Sequence, residues 1–238
     1  REYRQAIEHR AAEPMWTLLA SHLLANLHYD LAEFDEAAQV LADVEKRIHA
    51  DTKFRATYNK ARKELARFGW PLYSPQELAA RLHYYQAGHH RQLQQWDQER
   101  SHLQKSIELE PGDADVVIAM YRATGGGDQW RADVQRRITQ MAAQFEQEIA
   151  ETPHDPTPYN QWAWLVSNTE GDYQRAIRYS KQSLELLAEN RNPAGYLDTL
   201  GRCYYAAGDY EQAAETQRRA VELEPGMMVM ERQLALFE

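Results

Sequence analysis

Four histidines, His83, His89, His90 and His102, lie close together in the chain and are the side chains best suited to chemistry. Imidazole nitrogens bind zinc and other divalent metals, so a histidine group of this kind could form a metal site. On a helix, however, His83 and His90 lie two turns apart, a separation of roughly 10 Å. They could share a metal only with a ligand from another element. We therefore predict no metal site here and assign these histidines a packing role.

The remaining candidates for catalysis lack the necessary spacing. The glycine run 125–127 has no Gly-Lys-Ser/Thr after it and follows a predicted helix rather than a strand, so it is not a phosphate-binding loop. Ser21 and His22 belong to no recognisable triad. Glu146 and Glu148 fall on different faces of a helix. We predict no catalytic residue and no cofactor, and we expect that the protein is not an enzyme.

Residues 52–68 form a predicted amphipathic helix whose polar face is strongly basic. Such a face could meet nucleic acid or an acidic membrane surface. The whole chain is acidic, however, with 27 Lys and Arg against 36 Asp and Glu and a net charge of −9. We therefore expect a solvated face or an intramolecular salt-bridge partner, with neither nucleic acid nor membrane as a partner. The six cations are Lys53, Arg55, Lys60, Arg62, Lys63 and Arg67.

Composition limits the class of protein further. Cys203 is the single cysteine, which excludes an internal disulfide framework and any CxxC site and favours the cytoplasm. We expect this thiol to be a packing group rather than a nucleophile. Apolar runs are far shorter than the roughly 20 residues that a spanning helix needs. No signal peptide is recognisable, and since the chain begins at Arg1, a processed leader or a longer parent protein remains an alternative.

The elements that position these side chains repeat along the sequence. An aromatic residue is followed three and ten residues later by two fixed positions, which are mostly small. These positions lie seven residues apart, on one face of a helix, where small side chains let another helix approach closely. The four copies are Phe34, Ala37 and Val44; Trp96, Glu99 and Ser106; Tyr173, Ala176 and Ser183; and Tyr210, Ala213 and Ala220.

Each copy has a second stripe in the helix before its aromatic residue, and each unit ends near a proline such as Pro111 or Pro225. In the last copy the stripe has helical spacing and consists of Leu197, Leu200, Gly201 and Tyr204. A helix–turn–helix unit of about 34 residues with these features resembles the tetratricopeptide repeat. The closing copy, residues 192–226, carries the resemblance most completely.

The expected fold is therefore all-α, a right-handed superhelical solenoid of antiparallel helix hairpins similar to tetratricopeptide repeats. The three prolines at 153, 156 and 158 suggest a hinge or soft domain boundary. The predicted organisation is an N-terminal repeat region at 1–113 with copies at about 18–51 and 80–113 and the basic helix 52–68, a divergent hairpin at 114–152, C-terminal repeats at 155–227 with copies at about 155–190 and 194–227, and a capping helix at 228–238.

The resemblance implies that the first helix of each hairpin lines a concave groove in which a peptide or protein partner lies. Aromatic, Arg and Asn side chains suit such a surface because they combine contact area with directed hydrogen bonds. The residues that project onto it, here called the groove candidates, are His22, Asn26, Tyr29, Arg81, Tyr84, Arg91, Asn160, Trp164, Asp198, Arg202 and Tyr205.

One subclass of the family grips a chaperone's carboxy-terminal tail with a clamp of Lys, Asn and Arg side chains. Asn26 stands where one clamp Asn would stand, but His22 occupies the place of the clamp Lys. Tyr84 and Tyr85 stand where the second Asn is expected. Without the clamp charges a terminal carboxylate loses its charge-assisted hydrogen bonds, so we expect no binding of a chaperone tail.

The sequence thus predicts a non-catalytic interaction scaffold that binds a peptide or protein partner in the groove. A second hypothesis is an assembly module that docks through its C-terminal helix or within a larger parent protein. A third is a metal-binding enzyme built on the histidine group.

Overall fold

The computed structural model describes residues 14–70 and 72–238, and within these residues every regular element is an α-helix. None of these helices is both long and apolar enough to cross a lipid bilayer. Helices α1 to α12 span, in chain order, Pro14–Asp30, Phe34–Ala50, Thr52–Arg67, Pro75–Gln92, Trp96–Leu109, Ala114–Arg122, Gly127–Glu151, Pro156–Asn168, Tyr173–Leu186, Ala194–Ala206, Tyr210–Leu223 and Met228–Phe237.

The turn inside each repeated hairpin needs one residue in the left-handed backbone region. Gly171 and Gly208 supply it in the two C-terminal copies, with φ of 153° and 83°. In the two N-terminal copies Ala32 and Gln94 take the same position with φ of 58° and 56°, a conformation that costs a non-glycine residue energy. The sequence departs from the repeat pattern at these positions, but the turn is kept.

The residue after the left-handed position is the N-cap of the second helix, and its side chain decides how the helix is capped. Asp172 and Asp209 each accept a hydrogen bond from a backbone N–H in the first turn of α9 and α11. Glu33 and Gln95 occupy the corresponding places before α2 and α5 and make no side-chain cap. The C-terminal hairpins therefore have better capped second helices than the N-terminal ones.

The helices divide into two compact units. Unit 1 contains the described residues up to Val116 together with Ala123–Gly125, and unit 2 contains Val117–Arg122 and Gly126–Glu238. The division falls around α6 and the glycine run, not at the prolines 153–158 where the sequence suggested a soft boundary. That stretch lies inside unit 2, where Trp162 Nε1 donates a hydrogen bond of 3.2 Å to Glu146 Oε1 across it.

Unit 1 is stabilised by two apolar clusters. In one, Tyr58, Ala61 and Leu65 from α3 are buried against Leu18, Val44, Ile48, Leu72 and Leu78. In the other, α1, α2 and α4 meet through Ala25, Ala37, Ala38, Leu41, Leu82 and Tyr85. Burial of one face of α3 fixes that helix to the repeats and turns its basic face to solvent.

Unit 2 packs its last three helices through small side chains. Ala194, Leu197 and Ala220 form a buried cluster with Met230 of α12, and Phe237 packs against Ala213 and Ala214. Gly201 of α10 permits this closeness, because a Cβ atom there would lie 2.8 Å from Gln217 Oε1. Helix α12 thus covers apolar surface of the closing hairpin.

Candidate functional site

The first groove candidates, on α1, are already in contact with another part of the chain. The backbone N–H of Tyr73 donates a 3.1 Å hydrogen bond to His22 Nε2, and the two rings lie 4.2 Å apart. The Tyr73 hydroxyl lies 3.5 Å from Asn26 Oδ1, to which it donates. Residues 72–74, which follow the basic helix in sequence, therefore lie across the face of α1 that the repeat pattern assigned to a partner.

His22 is consequently a correction to the predicted site. Its side chain is only 5% exposed and is occupied by Tyr73, so it is not available to a partner. Burial, aided by the positive charge of Arg81, lowers the pKa of His22 to about 4. The ring is neutral at pH 7 and accepts through Nε2, so it cannot replace the positive charge of a clamp lysine.

A group of tyrosines forms the neighbouring surface of unit 1. The hydroxyls of Tyr29 and Tyr84 lie 2.8 Å apart and share a hydrogen bond, and the rings of Tyr29 and Tyr85 stack at 4.9 Å. Tyr85 donates to Asn26 Oδ1 at 2.9 Å. Burial raises the pKa of Tyr29, Tyr84 and Tyr85, so all three hydroxyls stay protonated at pH 7. They provide hydrogen bonds and aromatic contact area.

Arg81 lies at the edge of these tyrosines, with its guanidinium 5.4 Å from the centre of the Tyr84 ring. It pairs with Asp113 at 3.1 Å beside a cavity of about 360 Å³ lined in part by Tyr73 and Glu77. Burial acts to lower the pKa of Arg81, but the combined effect of Asp113, Tyr73, Tyr85 and Asp115 outweighs it and the pKa is raised. The ion pair with Asp113 thus holds the guanidinium of Arg81 in place.

Arg91, the last groove candidate of unit 1, is held by a buried acid. Its Nε donates a 2.6 Å hydrogen bond to Oε1 of Glu99, whose side chain is completely buried. Glu99 stands where the other copies have Ala, and its second oxygen has no hydrogen-bond partner among the described residues. In this copy, Glu99 replaces the small residue of the repeat pattern and is paired with Arg91.

In unit 2 the groove candidates Trp164 and Arg202 come from neighbouring hairpins and are both half-buried. Arg202 Nε donates to the Ser167 carbonyl at 3.2 Å, and its guanidinium lies 5.3 Å from the Tyr205 ring centre. Burial lowers the pKa of Arg202. No carboxylate of the described residues forms an ion pair with it. Arg202 is thus a partly desolvated cation with no acid bound to it in unit 2.

Asn160 and Tyr205 complete this surface. Asn160 Oδ1 is buried and has no hydrogen-bond partner among the described residues. The ring of Tyr205 stacks on Phe237 of α12 at 4.6 Å, which fixes one of its faces. Together with Arg202, the exposed parts of these residues offer an amide group, an aromatic edge and a cation.

Asp198 is the second correction to the predicted site. It is 8% exposed and accepts hydrogen bonds from Gln217 at 2.6 Å and from Gln233 at 3.0 Å. Burial raises its pKa to about 6. Helix α12, which carries Gln233, encloses this carboxylate, so Asp198 ties the closing hairpin to α12 and does not face a partner.

The histidine group is closer together than the sequence indicated, because His102 on α5 contacts both His83 and His90 on α4. His83 Nδ1 and His102 Nδ1 are 3.1 Å apart, and the rings of His90 and His102 stack at 5.1 Å. Burial and the neighbouring His83 and His90 lower the pKa of His102 to about 4. Across residues 14–70 and 72–238, no three His, Cys, Asp or Glu side chains are arranged to hold a metal ion.

The remaining chemical candidates are engaged within the fold. The Ser21 hydroxyl donates to the Thr17 carbonyl of its own helix at 2.9 Å rather than to His22. The Cys203 thiol is fully buried, and burial raises its pKa to about 12. A thiol with that pKa is not a nucleophile at pH 7.

Sequence reasoning missed the residues that close the site from outside the repeat pattern. Tyr73 belongs to a connection, and Gln217 and Gln233 occupy positions where the pattern gives no signal. Tyr85 was noted only as a departure from the clamp. The one available indication was the pair of tyrosines at 84–85, since adjacent aromatics on a helix cannot both face the core.

Comparison with known proteins identifies part of the chain. Residues 165–223 match the family model described as tetratricopeptide repeat. No curated protein is significantly similar to the chain.

Three solved structures are similar to this chain at low identity. A thermophilic TPR protein of Thermus thermophilus is 16% identical over 91% of this chain and 96% of that chain, with a TM-score of 0.47. A tetratricopeptide repeat protein of Parabacteroides merdae ATCC 43184 is 17% identical over 99% and 89%, with a TM-score of 0.40. The TPR2AB domain of yeast Sti1, solved in a complex with pHSP90, is 15% identical over 91% and 95%, with a TM-score of 0.36. Because these values are low, we transfer no binding property from them.

Proposed function

We propose that this chain, which is a tetratricopeptide repeat protein over residues 165–223, is a non-catalytic scaffold that binds a peptide or protein partner on the first helices of its hairpins. A stack of such helices offers a rigid surface along which neighbouring repeats add contacts. Rigidity lowers the ordering cost of binding on the receptor side.

The contact between α1 and residues 72–74 supports this proposal most directly. A segment without regular secondary structure lies on the predicted groove face and uses a backbone N–H, a ring and a hydroxyl to bind it. Arg62 Nε also donates to the Leu72 carbonyl, and the Tyr58 hydroxyl to that of Tyr73, so both sides of the segment are held. The same kinds of contact would hold the backbone of an incoming peptide.

The proposed partner surface is therefore smaller than the sequence suggested. In unit 1 it consists of the exposed parts of Tyr29, Arg81 and Tyr84. In unit 2 it consists of the exposed parts of Asn160, Trp164, Arg202 and Tyr205, where an acidic group of the partner would meet Arg202, a cation that forms no ion pair with any described residue. His22 and Asp198 are not part of it.

Two further elements of the proposal concern what the protein does not do and where it acts. The buried thiol of Cys203 and the internal hydrogen bond of Ser21 fit a scaffold without a catalytic nucleophile. A single buried, unpaired cysteine fits the reducing conditions of the cytoplasm.

The alternative is an assembly module that docks through its C-terminal helix. The packing of α12 instead favours a capping helix for the closing hairpin. Met230 and Phe237 are buried against the closing hairpin, so these two apolar residues of α12 are not available for docking elsewhere. We propose that residues 228–238 act as a capping helix.

The experiment is a selection of peptides from a random display library on the intact protein, followed by Kd measurements by fluorescence polarisation. We expect Arg202→Glu or Tyr84→Ala to weaken the selected peptides by about tenfold or more, the loss typical of an interface hot spot. The matched controls are Arg219→Glu, an exposed cation of α11, and Phe68→Ala, an exposed aromatic of unit 1.

Circular dichroism establishes that each variant is folded. Peptides that bind the groove variants and the control variants equally would contradict the proposed surface, and so would a selection that enriches no peptide. An equal loss of peptide affinity in the groove variants and the control variants would indicate that the peptides bind the outer face.

A further inference from the structure

The outer face of α3 carries an unusual concentration of positive charge for this acidic protein. Helix α3 holds six cations and one carboxylate in a chain with a net charge of −9. Lys60 lies 3.8 Å from Glu64, but Lys53, Arg55, Lys63 and Arg67 are exposed and form no ion pair with any described residue. Within residues 14–70 and 72–238, this positive charge is therefore not neutralised and is open to an external anion.

Asp51, the acid nearest to the start of α3, does not neutralise the cations of that helix. Asp51 Oδ1 accepts hydrogen bonds from the backbone N–H groups of Lys53 at 2.8 Å and Phe54 at 3.2 Å, so it caps α3. Its charge offsets the helix dipole at that end. The side-chain cations beyond the first turn have only Glu64 beside them on the same helix.

Two exposed aromatic side chains follow the C-terminal end of α3. Gly69, with φ of 79°, turns the chain sharply, and the N–H groups of Gly69 and Trp70 bond to the carbonyls of Ala66 and Leu65. This turn leaves Phe68 74% exposed and Trp70 51% exposed, directly after Arg67. These two aromatics, close together in the chain, add exposed apolar surface next to the basic helix, and exposed apolar patches rimmed by polar residues mark protein or membrane interaction sites.

We propose that this surface, defined as the exposed cations of α3 with Phe68 and Trp70, attaches the protein to the surface of an anionic lipid bilayer. It acts independently of the peptide groove. Cations next to a membrane are attracted by acidic headgroups, and Trp side chains are favoured at the membrane–water interface. The sequence alone argued against a membrane, because composition averages the acidic repeats with this helix and does not reveal the exposure of the two aromatics.

The mode of attachment follows from the inner face of α3. Tyr58, Ala61 and Leu65 are buried in unit 1, so the helix cannot rotate its apolar side into lipid. Attachment therefore depends on charge and on insertion of two aromatics to headgroup depth. It requires acidic lipid and weakens with salt, because exposed charges are screened within about 8–10 Å at physiological ionic strength.

A nucleic-acid partner is less consistent with this geometry. Proteins that bind single strands place aromatic rings as stacking platforms inside a basic groove that follows the backbone. Here the cations lie along the exposed face of one helix, and the two exposed aromatics follow its C-terminal end. A bilayer accepts exposed aromatics without a matching groove.

The test is flotation of the intact protein with vesicles of phosphatidylcholine alone and with about one third phosphatidylserine. We expect binding only to the acidic vesicles, decreasing as salt rises. The variant K53E/R55E/K63E should lose about tenfold or more of its vesicle partition coefficient. The control K105E/R131E/R219E makes the same change in net charge at exposed positions on other helices and should lose far less.

A second measurement reports insertion of the aromatic end. Phe68→Cys is labelled with an environment-sensitive fluorophore, which reacts there selectively because Cys203 is fully buried. Acidic vesicles should shift its emission to shorter wavelength, whereas a label at Arg219→Cys should not respond.

Several results would overturn the proposal. These are equal vesicle binding by the two charge-reversal variants, binding that does not require acidic lipid, or an unshifted label at position 68. Binding of a single-stranded oligonucleotide together with no vesicle binding would assign the basic face to nucleic acid instead.

Discussion

Asp198 is a carboxylate that the fold encloses with two glutamines, and its ionisation has a cost. Burial raises its pKa from 3.8 to about 6, so the folded protein favours the protonated form more than the unfolded chain does. Its contribution to the free energy of unfolding is therefore lost as pH rises between these two values. Above pH 6 the loss is on the order of 1–3 kcal/mol.

Asp198→Asn should remove this pH dependence, because the amide oxygen still accepts from Gln217 and Gln233 but carries no charge. We expect the variant and the parent to have equal Tm near pH 4 and the variant to have the higher Tm at pH 7. Thermal melts at several pH values measure the difference, with Glu222→Gln, an exposed carboxylate, as the control. A constant difference across the pH range would contradict the assignment.

Gly201 lets α10 pack closely against α11 and α12 because glycine has no Cβ atom. A Cβ there would lie 2.8 Å from Gln217 Oε1 and 3.5 Å from a ring carbon of Phe237. Gly201→Leu should therefore lower the free energy of unfolding by about 1–3 kcal/mol through overpacking. Urea denaturation measures it. Gly195→Ala on the same helix has nothing within 4 Å of the new Cβ and should be neutral or slightly stabilising.

At the residue scale, sequence was informative wherever the repeat pattern applied. The small positions 201, 213 and 220 are buried as their spacing required. It was not informative for His22 and Asp198, which have the helical position of groove residues but are covered by Tyr73 and α12. Helical periodicity assigns a face to a residue and carries no information about which later segment lies on that face.

Helix α12 is the element whose contribution is easiest to isolate, because two adjacent residues near its end have opposite environments. Phe237 is 5% exposed and stacks on Tyr205, whereas Leu236 is 58% exposed. We expect Phe237→Ala to lower the free energy of unfolding by about 2–4 kcal/mol and Leu236→Ala to change it little.

Denaturant titration monitored by circular dichroism measures both variants, and sedimentation shows whether either changes in mass. Similar losses from the two variants would contradict the orientation of α12. A change in mass with Leu236→Ala alone would support assembly through this helix in place of capping.

At the scale of elements, the helices follow from the spacing of apolar residues and from the turn chemistry. The turns at Gly171 and Gly208 carry an explicit glycine signal, whereas those at Ala32 and Gln94 do not. The latter form because the packed helices on both sides impose the turn. Connecting residues such as 72–74 have no periodicity, and their position against α1 was not predictable.

Over the whole molecule, the division into two units predicts how a local perturbation spreads. In a repeat protein each hairpin is stabilised mainly by its neighbours, so opening is local. Phe237→Ala should raise amide hydrogen exchange most in α10 to α12 and leave exchange in α1 to α4 unchanged. Exchange measured by mass spectrometry on both proteins checks this, and a uniform rise along the chain would contradict it.

The division itself was only partly accessible to sequence. The glycine run at 125–127 is a visible break, but the prolines at 153–158 gave an equally strong signal and lie within unit 2. Prolines restrict the local backbone, whereas unit boundaries depend on which side chains pack together. Trp162 and Glu146, which join the two sides of that stretch, are distant in sequence and have no common pattern.

A ligand that binds the face of α1 covered by residues 72–74 must first displace this segment, and the displacement costs free energy. Such a ligand meets a receptor whose competent form is populated only when Tyr73 has left His22, and its apparent Kd is the intrinsic Kd divided by that population. Because the competing segment is tethered to the receptor, its effective concentration is independent of how much protein is present and exceeds that of a dilute ligand. Affinity maturation of a peptide should therefore converge on sequences that leave Tyr73 in place and bind beyond it.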